Sequence, residues 1–359
     1  MENITQYAIR TKELTFKQEG FNEVDALLFC QLLYNDLGCA PFNEDGRIYI
    51  RDLNDPELIE RMSSITWVPK NDIELWGHVT QSSRYKDLEI IDFYEPDNYG
   101  EFGQFTGMVV EIYEDTKLVV FRGTDASFEG WRESLNMSFE PEIGAHTTAK
   151  EYLERVTAKY PGNFIVAGHS KGGNLVVFAS STVDSSIQDR IKIVYDFDGP
   201  GFLDEFYERD DYCSMEEKTI KYLPKQSIFG LLLKSVGKAK IINCKGLLIE
   251  EHYPYSWQIV DNKFERLKEL DAISKFTYSA ANKWMASVDR QERKNMIDTL
   301  YDVFSSSGAT DLNEIQENRW TTFIKLKKIM DKIDKDDRAL LKKNLAFYMD
   351  LFRKEIFNW

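Results

Sequence analysis

The chain has 359 residues, of which 43% are hydrophobic and 13% aromatic, and a formal net charge of −15. That apolar fraction supports a packed core and excludes global disorder, while the length allows one large domain or two. The acidic balance argues against nucleic acid or an anionic membrane as a partner, because both would repel it.

From the start, Met1-Glu2-Asn3-Ile4 shows no basic region leading into an apolar stretch, so no signal peptide is expected. Residues 1–103 read as a mostly helical accessory segment. Asn22 can cap a helix carrying Val24, Leu27, Leu28, Leu32 and Leu33 on one face, ended by Gly38 and Pro41. Asp55-Pro56 is a second helix start, with the aspartate as cap and the proline at the first helical position. The pattern changes near residue 104. Phe105 to Tyr113 and Leu118 to Phe121 alternate like strands across a turn at 114–117. Helix (145–160), strand (163–167), helix (172–182) and strand (191–197) follow, and further strands are expected near 218–223 and 240–248. Strands alternating with helices imply a largely parallel sheet, within a core spanning 104–262. The longest apolar runs, such as Ile228 to Leu233, are too short to cross a bilayer.

Residues 263–359 read as a helical extension. Asp289-Arg290-Gln291-Glu292 has the form of a capping box. Beyond a break at 305–308, Trp320, Phe323, Ile324, Ile329, Leu340 and Phe347 are apolar anchors of an amphipathic stretch. These helices are candidates for contact with the core or with another copy of the chain. Cys30, Cys39, Cys213 and Cys244 have no C-x-x-C spacing and read as free thiols, with no metal site and no disulfide framework. A cytoplasmic location is expected.

The chemistry is concentrated at Gly168-His169-Ser170-Lys171-Gly172. The run sits between an apolar strand and a helix. Strand, G-x-S-x-G and helix together form the nucleophile elbow of α/β-hydrolases. A serine hydroxyl needs an adjacent base. In this fold the order is serine, acid, histidine, and of His78, His146, His169 and His252 only His252 follows Ser170. The acid is less plain. Residues 218–249 contain no Asp or Glu, which leaves Asp196-Phe197-Asp198-Gly199-Pro200-Gly201 at the end of the 191–197 strand. Asp198 is the first choice, Asp196 the reserve and Asp204 next. The alternative is that both aspartates merely brace the turn. Two backbone donors are required for an oxyanion. Lys171 N–H supplies one, and Thr124, after the 118–121 strand, supplies the other with a hydroxyl besides. Phe206, Phe229 and Leu231, in a segment between acid and base, are expected to line a substrate pocket as part of a cap.

Phe121-Arg122-Gly123-Thr124, Gly130-Trp131-Arg132-Glu133-Ser134-Leu135 and Gly168-His169-Ser170-Lys171-Gly172-Gly173 together resemble the class 3, fungal-type lipases, and most of all the bacterial lipase-like proteins related to them. The resemblance covers about residues 104–258. It implies an α/β-hydrolase fold with Thr124 as the oxyanion residue, Ser170 as nucleophile and His252 as base. One departure stands out. Where that family carries its acid before the histidine, this chain has Lys225-Gln226-Ser227-Ile228. Asp198-Gly199-Pro200 instead looks like the post-strand aspartate of the pancreatic lipase group. The implied activity is hydrolysis of a soluble or monoacyl ester without cofactor. A thioesterase or acyltransferase would use the same groups, and a binding or scaffold protein on a hydrolase fold is the reading from another class.

Overall fold

The computed structural model describes residues 2–96, 103–306 and 334–357. In the N-terminal part, α1 (Ile4–Arg10) and α2 (Glu23–Leu32) precede the short β1 (Ile48–Tyr49), and α3 (Pro56–Ser63) and α4 (Pro69–Val79) precede β2 (Glu89–Tyr94). The central run is β3 (Gly107–Tyr113), β4 (Thr116–Phe121), α5 (Phe128–Asn136), α6 (Gly144–Lys159), β5 (Asn163–His169), α7 (Lys171–Thr182), α8 (Ser185–Gln188) and β6 (Ile191–Phe197). Then come α9 (Asp204–Tyr207), β7 (Thr219–Pro224), β8 (Lys238–Ile242), α10 (Ile249–His252), β9 (Ile259–Val260), β10 (Lys263–Phe264) and β11 (Arg266–Leu267). Helices α11 (Ala272–Ser287), α12 (Arg290–Ser305) and α13 (Lys335–Phe357) close the described chain.

Nine strands form one mixed sheet in the order β1-β2-β3-β4-β5-β6-β7-β8-β11. Strands β4 to β8 are parallel, and the pairs at both edges are antiparallel. Helices flank both faces, and the architecture is that of an α/β-hydrolase. The order from β4 to β8 never reverses. Right-handed crossovers between strands added in one direction all fall on the same face. Accordingly α6 and α7 pack together on one side, over Val109, Val119, Phe164 and Val166. The other face carries the alternate residues Met108, Val110, Leu118, Val120 and Ala167, which the crossovers leave bare. The N-terminal helices cover it.

The N-terminal segment is therefore one whole layer of the sandwich rather than an appendage. Asn22 caps α2 as expected, accepting from the N–H groups of Val24 and Asp25. Every residue of α2 is buried, however, because the helix lies between the sheet and the rest of the layer instead of turning one face to water. Within this segment two strands, β1 and β2, escape the sequence reading. In β2 a register shift between Ile90 and Asp92 breaks the alternation, and the buried Asp92 carboxylate is held by Arg155 and Lys159. The limits at 103 and 262 do not separate structural units, since β2 pairs with β3 and β11 pairs with β8. Strand β8 stops at Ile242, so 243–248 is loop, and residues 263–267 form short strands ahead of the helices. At α12 only half the capping box forms. Asp289 accepts from Glu292 N–H, but the Glu292 carboxylate turns to Lys343 and Asn344 of α13. Of the C-terminal anchors, Leu340 and Phe347 lie on α13, while Trp320, Phe323, Ile324 and Ile329 lie outside the described residues.

Candidate active site

The Ser170 turn is built by backbone crowding. Ser170 has φ +58°, a left-handed conformation costly for a side-chain-bearing residue, and its N–H is held by the Phe197 carbonyl at 2.9 Å. A Cβ on Gly168 would run into the Gly172 carbonyl, and one on Gly172 into the Phe121 carbonyl. Glycine at both positions lets strand, turn and helix approach closely enough to present Ser170. Its neighbours His169 and Lys171 are buried, while Ser170 keeps partial access to solvent.

His252 and Asp198 meet across 54 residues. His252 ends the one-turn α10, and its Nδ1 lies 2.6 Å from Asp198 Oδ2. Asp198 is fully buried just past β6, with φ +55°. Its other oxygen accepts from Ser227 Oγ at 2.5 Å and Gly230 N–H at 3.2 Å. A carboxylate so satisfied fixes Nδ1 as the protonated nitrogen and leaves Nε2 as the basic one. Ser227 belongs to the segment where the resemblance led one to expect an acid, so that position holds a serine that donates to the relocated carboxylate. Among the described residues no hydrogen bond joins Ser170 Oγ to His252. In resting active sites that contact is commonly long and tightens with substrate.

Asp196 is engaged elsewhere. It pairs with Lys221 Nζ at 2.7 Å and accepts from Gly199 N–H at 2.8 Å, all buried. Burial raises its carboxyl above the ordinary range. It braces the turn after β6 and does not touch His252. Asp204 begins α9 on the surface, opposite Lys234 at 3.8 Å.

Thr124 follows β4 as expected, but its hydroxyl lies 2.5 Å from Ser134 Oγ, which itself donates to the Gly130 carbonyl. The Thr124 proton is thereby committed to Ser134, and only the N–H remains for an oxyanion. The Lys171 N–H lies in the first turn of α7, where no intrahelical acceptor exists. Its side chain is a buried strut to Glu133 at 2.7 Å and the Gln104 carbonyl at 2.8 Å. Phe229 sets its ring 4.6 Å from that of His252. Leu231 lines a separate cavity. Phe206 does not line that cavity. It is wholly buried, stacked 3.9 Å from Phe202 and packed against Phe178, because α9 folds its single turn inward.

His146 and His169 are both buried and uncharged. His146 stacks on Phe178, donates to Asn174 Oδ1 at 2.6 Å, and burial lowers its pKa to about 4. His169 pairs its Nε2 with the backbone carbonyl of His252 at 2.9 Å, so that nitrogen is the donor and Nδ1 accepts from Tyr34 OH at 2.9 Å. Burial, then the neighbouring His252, keep its pKa well below the ordinary value. One turn further on, Tyr255 OH donates to buried Asp72 at 2.6 Å, which Gln31 and Thr66 also bond. Tyr34, Asp72, His169 and Ser227 thus fix the acid and the backbone around His252. Sequence reading missed these roles, and no local pattern marks contacts at such separations.

A nine-stranded mixed sheet with a strained serine after its central strand, and a His–Asp pair joining the end of α10 to the turn just past β6, defines a lipase-like α/β-hydrolase. Residues 79–302 match the Mbeg1-like family model, and the chain belongs to that family. Among solved structures it is similar to Rhizomucor miehei lipase in its native propeptide complex, at 14% identity and TM-score 0.29, covering 45% of this chain and 58% of that one. It thus spans little more than half the length of that protein. It is also similar to M37 lipase (16% identity, TM-score 0.32, 59% of this chain and 70% of that). A third likeness is to a mutant form of MDLA from Penicillium cyclopium (10%, 0.34, 67% and 83%). No curated protein matches the sequence. Among the described residues no helix is long and apolar enough to cross a membrane, and no group of His, Cys, Asp and Glu could hold a metal ion.

Proposed function

We propose that this protein is a serine carboxyl-ester hydrolase, a lipase-like esterase of the cytoplasm. The observation that carries the reading is the 2.6 Å bond between His252 Nδ1 and buried Asp198, beside the Ser170 turn. Ser170 Oγ attacks the acyl carbonyl while His252 Nε2 takes its proton. The tetrahedral oxyanion is met by the N–H groups of Thr124 and Lys171. His252 then protonates the leaving alcohol, and water repeats the sequence to release the acid. Asp198 holds the imidazole tautomer and stabilises the imidazolium. These steps need neither metal nor organic cofactor. Phe229, over the His252 ring, serves as a wall for the acyl group.

The four free thiols among the described residues agree with a reducing compartment. The narrower kinship with bacterial lipase-like proteins belongs to the same reading, as does homo-oligomer contact through α13, where Leu345 and Met349 are exposed. A thioester substrate, or transfer to an acceptor other than water, would use the same groups. The test is labelling by a fluorophosphonate probe together with turnover on short ester substrates. Wild type should be labelled at Ser170. Ser170→Ala and His252→Ala should each lose labelling and roughly a millionfold in turnover. An unlabelled wild type, or a Ser170→Ala protein that still turns over, sinks the reading and favours a scaffold.

A further inference from the structure

Among the described residues the buried cations have carboxylate partners, with one exception. Arg84 pairs with Asp25, Lys171 with Glu133, Lys221 with Asp196 and Arg122 with Glu95. Arg293, on α12, is only 6% exposed yet has no carboxylate within salt-bridge distance among the described residues. It donates to the Ser138 carbonyl, and its Nε has no partner. Burial, reinforced by neighbouring Arg290, pulls its pKa below the ordinary value, against the opposing pull of Asp289 and Glu205 from beyond ion-pair distance. An unpaired charge withdrawn from water is costly, and buried charges are ordinarily paired.

Arg293 lines a cavity of about 530 Å³ between the 202–204 turn, the 230–235 segment and helices α11 and α12. The volume falls within the range of small-molecule sites, about 300–1,000 Å³. The wall is largely apolar, with Phe202, Leu223, Leu231, Leu233 and Met285. Lys234 stands at the rim opposite Asp204, and Lys221 is already committed to Asp196. Ser170, His252 and Thr124 do not line it. A guanidinium with free donor capacity takes a carboxylate with good geometry, and the remaining wall suits an aliphatic body. A neutral ligand would leave Arg293 without an ion-pair partner, and a small inorganic anion would leave the apolar wall unfilled.

We propose that this cavity binds a medium- or long-chain aliphatic carboxylate, its head at Arg293, at a site separate from the Ser170 centre. Such acids are the product class of the proposed esterase, but the site does not depend on that activity.

Calorimetric titration of the full chain with decanoate and with decan-1-ol tests it. Decanoate should bind with one site per chain, at least about tenfold more tightly than the alcohol, the minimum expected for a charge-assisted contact. Arg293→Met should weaken decanoate by at least about tenfold and leave the alcohol unchanged, while Arg293→Lys should retain part of the preference. Lys234→Ala should cost less, since its charge is exposed at the rim. Binding should persist in Ser170→Ala and after phosphonylation of Ser170. Because Arg293 also holds the Ser138 carbonyl, its variants could misfold. Met285→Trp, which fills the cavity from α11, should abolish decanoate binding while keeping the unfolding temperature. The proposal is overturned by an absence of decanoate binding, by equal affinity for acid and alcohol, or by unaltered binding in Arg293→Met or Met285→Trp. Loss of binding on modification of Ser170 would place the ligand in the reacting pocket and overturn it as well.

Discussion

The two regions added to the central strands, residues 2–96 ahead of β3 and helices α11 to α13 behind β11, are joined to the sheet in opposite ways. The first supplies two strands and a layer of fully buried side chains such as Ile4, Tyr7, Leu27, Phe29 and Trp76. It also reaches the site through Tyr34 on His169 and Asp72 on Tyr255. The second buries little. Helix α11 contributes Ser274, Ala280 and Ala281 to the interior, and α12 contributes Arg293, Ile297, Thr299 and Val303. Many of its contacts with the core are made to α5, as in the edge-to-face packing of Phe304 on Trp131 and the ion pair between Arg132 and Asp298, and Ser274 adds a hydrogen bond to the Ser227 carbonyl. The difference follows from crossover handedness. A sheet growing in one direction covers one face with its own helices, and the chain must provide a second layer for the other. Nothing comparable obliges the C-terminal helices to be there for stability.

The largest expected effect is therefore in the N-terminal layer. Arg84→Met leaves Asp25 buried with only neutral donors, the Tyr7 and Tyr85 hydroxyls and the Asn22 N–H, and strips the carbonyls of Leu14, Glu19 and Gly20 of their partner. Breaking a fully buried ion pair costs about 3–5 kcal/mol. The unfolding midpoint in denaturant should fall accordingly, and a loss below about 1 kcal/mol, the scale of a surface pair, would mean the layer is dispensable.

Between the two regions, buried His146 should leave a pH signature. In the unfolded chain its imidazole takes a proton near the ordinary value of 6.5, whereas in the folded state it resists until about 4. The unfolded state then binds more protons across that window, so stability declines as pH falls from 6.5 to 4, by about 3 kcal/mol for a shift of this size. His146→Gln should flatten the dependence of unfolding free energy on pH in that interval. An unchanged slope would assign it to other groups, His169 first.

Tyr34→Phe removes the donor to His169 without creating a cavity. It should cost about 1 kcal/mol in stability and lower kcat on esters by a few-fold to about tenfold, with KM little changed. Stability loss with kcat intact would reduce the N-terminal layer to a cover with no part in aligning His252.

The smallest effect belongs to the C-terminal helices. Arg132→Ala breaks a partly exposed pair with Asp298, worth less than about 1 kcal/mol and screened by salt. A loss as large as that of Arg84→Met would show that α12 is as integral as α2.

Legibility in the sequence divides along physical range. Periodicity, turn residues and caps are local, and they located β3 to β7, α6, α7 and the caps at Asn22 and Asp55 close to where they stand. The Ser170 turn was legible because its strain demands glycines at fixed offsets. Strand β2 was missed where a bulge and a buried Asp92 break the alternation that marks a strand. Phe206, expected at a pocket, is wholly buried against Phe202, because an aromatic residue in an apolar segment reads the same whether it faces a pocket or a core.

By itself the sequence determined the class of sheet and the serine turn, and singled out His252 as the proposed base, since each rests on neighbours within a few residues or on chain order. Only the tertiary structure chose between Asp198 and Asp196, two residues apart on one strand end. It sent one to His252 and the other to Lys221. It alone drew Tyr34 to His169 across 135 residues, made a full layer of the N-terminal segment, and left Arg293 without a carboxylate at ion-pair distance among the described residues. Those outcomes depend on which side chains meet after the sheet has formed, and a contact between distant parts of a chain leaves no periodic trace in either of them.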